Sequence, residues 1–209
     1  MDLYSYVIAR DFGFAPNPFF KFCTLATCKP MIRNTARIGD VIIGVTNSDF
    51  ANKLGFTGIV FAMIVTERIS YDQYWNDPRF VCKKPLLNGS LKQFYGDNIY
   101  HKENGVTIQE NSHHSNDDGS VNLDNYNRDT KSEYVLCSEQ FWYWGRSPIK
   151  PPEEFSELLY RGRGHRRIKE GENAALLSSF VSWLYSLGED GIIDIPAGFN
   201  LGFVRYNGK

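Results

Sequence analysis

The chain has 209 residues, 42% hydrophobic and 22% charged, with a formal net charge of −1. That length and composition suit one sizeable globular core, or a core with a small appendage, and the near-neutral charge excludes a global field drawing the protein onto nucleic acid, so any such contact needs a local patch. The longest apolar run, IVFAMIV at 59–65, is too short for a bilayer-spanning helix of about 20 residues. No basic-then-apolar leader is read at the start, and the four cysteines are expected as reduced thiols in a cytoplasm.

In chain order, LYSYVIA (3–9) predicts a strand from its Tyr, Val and Ile. DFGFAPNPFF breaks regular structure with Gly13, Pro16 and Pro18. CTLATCKP (23–30) is either one helical turn or a tight loop, and MIRNTARIGD a short helix ending at Gly39. DVIIGV (40–45) and TGIVFAMIVTER (57–68) are continuous apolar runs, so two strands buried on both faces are expected. SYDQYWNDPRF opens with Ser70 as N-cap and stops at Pro78, which fits a short helix. Its Tyr71, Tyr74 and Trp75 recur at packing intervals.

Short strands are predicted near 98–101 and 106–110, followed by a mobile surface loop at 111–131 that lacks apolar periodicity. YVLCS and FWYWG predict further strands, PPEEFSELLY a short helix and RGRGHRRIK a basic turn. The clearest helix is 172–187, with Leu177, Phe180, Val181, Leu184 and Leu187 on one stripe and Gly188 at its end. With no repeat and no linker, residues 1–209 read as a single α+β domain. Its sheet is mixed or barrel-like, flanked by short helices and one long C-terminal helix.

Three stretches carry candidate chemistry. Cys23 and Cys28 stand in a C-x4-C spacing without a second cluster, which argues against a metal clamp, so no metal and no cofactor is expected. The thiols are read as packing a turn. Alternatively, Thr24, Thr27 and Lys29 give that turn a polar ligand-binding rim, or Cys23 or Cys28 acts as a nucleophile with His113 or His114 as base. Asp97, Asn98 and Tyr100 offer acceptor, amide and hydroxyl groups to a base edge. His113 and His114 are adjacent, so an extended chain would point them to opposite sides. Arg161, Arg163, His165, Arg166 and Arg167, with Lys169, concentrate positive charge on glycine-spaced backbone suited to phosphate, against a reading as a solvated turn balanced by Glu153, Glu154 and Glu157. No Walker loop, G-x-G-x-x-G, H-E-x-x-H or G-x-S-x-G motif is present. The aromatic share of 15% suits a β-rich core, with some rings left for a pocket.

Taken together, LYSYVIARDFGFAPNPFF, CTLATCKPMIR, ARIGDVIIGV, SYDQYWNDPRF and GDNIYHKENG resemble the nucleotide modification associated domain of the second type, over about residues 3–190. That family occurs in bacteria and phages and is linked by context to modified bases and conflict systems. Gly39-Asp40 before a buried strand, the second buried strand and YWNDPRF are also distantly similar to EVE, ASCH and PUA-like modules, which are small β-barrels. The resemblance implies a module binding a nucleotide or modified base, free or within nucleic acid, and the short apolar runs give no reason to expect a membrane partner. It carries no catalytic constellation. A nucleotide-modifying or nucleotide-cleaving enzyme and a phage protein that sequesters a nucleotide signal are the alternatives.

Overall fold

The computed structural model describes residues 1–206 and 208. The chain runs through β1 (Leu3–Ile8), β2 (Cys23–Leu25), α1 (Pro30–Thr35), β3 (Val41–Thr46), α2 (Ser48–Leu54), β4 (Ile59–Ile64), β5 (Glu67–Ser70) and α3 (Tyr71–Asn76). After a 3-10 turn at Pro78–Lys83 come α4 (Leu91–Phe94), β6 (Tyr100–Glu103), β7 (Val106–Gln109), α5 (Leu123–Asp129), β8 (Tyr134–Ser138) and β9 (Gln140–Tyr143). A second 3-10 turn (Glu153–Leu158), β10 (Arg166–Ile168), α6 (Glu170–Ser186) and β11 (Gly191–Ile192) follow.

The main sheet has the order β10-β1-β3-β4-β9-β11, with β1/β3 and β9/β11 parallel and the other pairs antiparallel. Its inner strands are apolar on both faces because both faces are covered. Val41, Ile43, Val45, Ala62 and Trp142 pack against Leu177, Phe180 and Leu184 of α6. Tyr6, Ile42, Phe61 and Met63 face the other way, onto Leu25, Ile32 and Leu136. A third cluster is mostly aromatic, including Phe12, Phe14, Tyr71, Tyr74, Tyr95 and Tyr100, and it absorbs much of the aromatic excess. The result is a mixed α+β domain whose sheet stays open, so no closed barrel forms among the described residues and the barrel-like alternative is not adopted.

Several expected elements differ in instructive ways. The 57–68 run is two strands, because the Val65 N–H bonds to Asp40 O while the Thr66 N–H turns to Cys137 O, and the chain crosses into a second sheet, β2-β8-β5. The helix after CTLATCKP stops at Thr35 rather than Gly39. Asp40 accepts the Arg37 N–H at 2.9 Å and the Asp2 N–H at 2.7 Å, so the backbone beyond Ala36 is held by a carboxylate instead of continuing the helix. CTLATCKP is itself a strand, paired with β8, then a turn into α1. The 111–131 segment contains α5, capped by Asn122, and buries His113, His114, Asn125 and Asp129. It shows no apolar periodicity because what it buries is polar and hydrogen-bonded. Ser70 does cap α3, with a full capping box through Gln73.

Candidate functional site

The end of β1 and the segment after it, residues 6–15, form one wall of a cavity of about 610 Å³, within the size range of small-molecule sites. The turn Cys28–Met31 forms a second wall, His113 and His114 a third, and Arg128, Tyr206, Gly164 and His165 close it. Parts of CTLATCKP, NSHHS and RGRGHRRIK thus meet in one place although they lie far apart in the sequence.

Two of the lining side chains, Cys28 and His114, form a relay with buried Asp129 behind them. Cys28 Sγ lies 3.9 Å from His114 Nε2, and His114 Nδ1 lies 2.7 Å from Asp129 Oδ2. Tyr100 donates its hydroxyl to the same Oδ2 at 3.1 Å, and Gln109 donates to Tyr100 in turn. The other carboxylate oxygen, Oδ1, accepts the Cys28 N–H at 2.8 Å. Buried Arg33 locks the frame, donating to the carbonyls of Cys28, Asp129, Ser132 and Tyr134 and to the Tyr71 hydroxyl. Cys28 (φ 53°) and Lys29 (φ 37°) both adopt the left-handed region, a strained arrangement for L-residues that the surrounding bonds must hold. Strand, strained turn and helix therefore follow in sequence, with the thiol on the turn.

Charge follows from this geometry. Burial alone would push His114 down, but the Asp129 carboxylate and Cys28 outweigh it and raise the imidazole to about 9. Burial pushes Asp129 up, and the neighbouring His114 charge, with Arg33 and Arg128, more than reverses that. His113 behaves oppositely. Buried among Phe12, Phe14 and Tyr95 and beside His114, it is lowered to about 3 and stays neutral, with Nδ1 bonded to Val204 O. The two rings stack at 5.6 Å instead of pointing apart, because Ser112–Ser115 form a turn, not an extended strand. Arg10, Lys29 and Arg128 bring positive charge to the walls, Lys29 lying 4.4 Å over the Tyr6 ring and Arg128 5.3 Å over Tyr206.

Cys28, Lys29, His113, His114 and His165 line the cavity, whereas Cys23, Thr24, Thr27, Asp97, Asn98 and Tyr100 do not. Thr24 and Tyr74 both donate to Asp97, which burial raises to about 6, while the Asn98 amide donates to Tyr74 O. These residues fasten β2 to the chain before β6. Cys23 is a buried thiol, pushed up by burial, and the buried Thr27 hydroxyl has no partner among the described residues. In the basic turn, Arg167 pairs with Asp2 at 2.6 Å, Arg166 bonds to Glu157 O, Arg161 borders a separate hollow of about 200 Å³ and Arg163 is exposed. Its predicted balance by Glu153, Glu154 and Glu157 side chains is replaced by Asp2 and a backbone carbonyl.

The donor atoms of Cys28, His114 and Asp129 lie within 4.8 Å of one another, a set zinc accepts. Asp129, however, occupies the Nδ1 side of the ring and Cys28 the Nε2 side, so an ion joining thiolate to Nε2 leaves the carboxylate bonded to a ligand rather than to the metal. Two donors fall short of the three or four a zinc site uses. Sequence reasoning missed Asp129, Arg33, Arg10 and Arg128. Asn122 before LDNYNRD is a helix-cap signal that would have placed Arg128 and Asp129 on the last turn of a helix.

No curated protein and no solved structure matches the chain. The model of nucleotide modification associated domain 2 matches residues 1–203, and the chain therefore belongs to that family.

Proposed function

We propose that this cavity binds a nucleotide or modified nucleobase, and that the protein serves nucleotide modification through it. The observation that carries this reading is the convergence of aromatic walls (Tyr6, Phe12, Phe14, Tyr206) with Arg10, Lys29 and Arg128 in one cavity. Aromatic faces take a planar base, and guanidinium and ammonium groups take phosphate. His165 brings the basic turn to the same mouth. Family membership supports a nucleotide-related role.

Calorimetry with nucleoside monophosphates, cyclic nucleotides and modified oligonucleotides tests it, together with mass spectrometry of anything released from the denatured protein. Binding by at least one class is expected, weakened roughly 10- to 150-fold in Arg128→Ala if a charged hydrogen bond of about 1.5–3 kcal/mol is lost. Absence of binding across the panel overturns the reading. Release of an unaltered, tightly held nucleotide favours sequestration. A second, enzymatic reading is favoured by the Cys28–His114–Asp129 relay.

A further inference from the structure

We propose that Cys28, His114 and Asp129 form a nucleophilic triad that performs acyl transfer on a carboxylic amide or ester carried by the nucleotide in this cavity. The substrate half rests on the nucleotide reading above, and the nucleophile half does not. Three independent observations converge on it. The thiol lines the cavity and faces an imidazole whose far nitrogen is held by a carboxylate, the arrangement in which a base takes a proton from a nucleophile and keeps one tautomer. The backbone under the thiol is strained and tied at both its N–H and its carbonyl, which fixes where sulfur points. Lys29 and Arg128 line the same cavity as the thiol, which brings two cationic side chains to the reacting group.

Redox chemistry between thiols has no local partner, since Cys23 and Cys137 are buried outside the cavity lining and Cys82 is exposed elsewhere. Acyl transfer needs only water or an amine as co-reactant. With the proton of the pair resting on His114 Nε2, sulfur attacks the carbonyl carbon as thiolate, and the C=O electron pair moves onto oxygen, where Lys29 and Arg128 offset the negative charge. That pair returns, the bond from carbon to the leaving amine or alcohol breaks, and His114 gives the leaving group its proton, which leaves a thioester. Water then adds to the thioester carbon as His114 Nε2 takes its proton, the C–S bond breaks, and sulfur leaves as thiolate beside the protonated His114. The sum is amide or ester plus water to carboxylic acid plus amine or alcohol. An amine in place of water transfers the acyl group instead. His114 and Cys28 are the catalytic residues, and Asp129 and Tyr100 are positioning residues.

The test uses the full chain at pH 6.5, with iodoacetamide labelling read by peptide mass spectrometry and exposed Cys82 as the internal reference. Cys28 should label at least tenfold faster than Cys82, and His114→Gln should remove that advantage. Because a buried His114 variant can misfold, wild-type protein is also treated with p-nitrophenyl acetate, which should leave an acetyl group on Cys28 that hydroxylamine releases. Labelling and acetylation no faster at Cys28 than at Cys82, or one stoichiometric zinc in the purified protein that blocks both, overturns the triad. Saturating AMP and UMP should slow Cys28 labelling. Fast labelling that neither nucleotide alters overturns the nucleotide substrate while the nucleophile stands.

Discussion

Replacing Arg33 by Met removes every bond that joins the Cys28 turn to the end of α5 through a side chain of the helix between them. Arg33 is fully buried and its guanidinium serves the carbonyls of Cys28, Asp129, Ser132 and Tyr134. Asp129 O keeps the Tyr71 hydroxyl at 3.1 Å, so three carbonyls lose the Arg33 bond without that fallback. A buried polar group left unpaired costs about 1–3 kcal/mol, and release from burying a charge offsets part of the sum. A net loss of roughly 3–5 kcal/mol follows. For a chain of this size each kcal/mol moves Tm by about 2–4 °C, so Tm should fall by roughly 6–20 °C. Circular dichroism melts measure this, and Cys28 labelling on the still-folded variant measures the turn. A Tm within about 3 °C of wild type, with unchanged labelling, would refute the view that Arg33 holds the relay.

Packing and charge give further tests. A Cβ on Gly44 would sit 2.3 Å from the Phe61 ring and 2.6 Å from Ile8 Cδ1, so Gly44→Ala should lose about 1–3 kcal/mol in urea unfolding; an unchanged midpoint would contradict the packing of β1, β3 and β4. His113, lowered to about 3 in the fold, takes a proton near 6.5 when unfolded, so its contribution is intact above about pH 6.5 and is lost as pH falls toward 3. His113→Phe, placed among aromatic rings, should therefore move acid unfolding to lower pH, and a midpoint that stays or rises counts against it. Arg10→Ala should weaken nucleotide binding and flatten its salt dependence, whereas Arg167→Ala, whose guanidinium is already held by Asp2, should change little. The reverse order would move phosphate recognition to the basic turn.

β1 was legible from its Tyr, Val and Ile, β3 and the first half of the 57–68 run from apolar residues covered on both faces, and α6 from one apolar stripe ending at Gly188. Ser70 and Gln73 marked α3 equally well. The crossover at Thr66 was hidden because it depends on a bond to Cys137, far along the chain. The site was half visible. Cys28, Lys29, His113, His114 and His165 were each singled out by residue type, but nothing local says that they meet. Asp129 and Arg33 were invisible because a polar core leaves no hydrophobic period, and their roles come from partners about 100 positions away. Thr24 and Asp97 drew attention for the same chemistry and instead satisfy each other inside the fold.

The four histidines offer the most direct measurement. His113, His114 and His165 line the cavity, while His101 stacks on Trp75 at 4.1 Å and bonds to Glu110 outside it. Imidazole signals followed by NMR during titration with AMP and UMP report on both places at once. Nucleotide binding in the cavity predicts that the signals of His113, His114 and His165 move together and saturate while His101 stays still. Movement of His101 alone, or of none at saturating nucleotide, would contradict it.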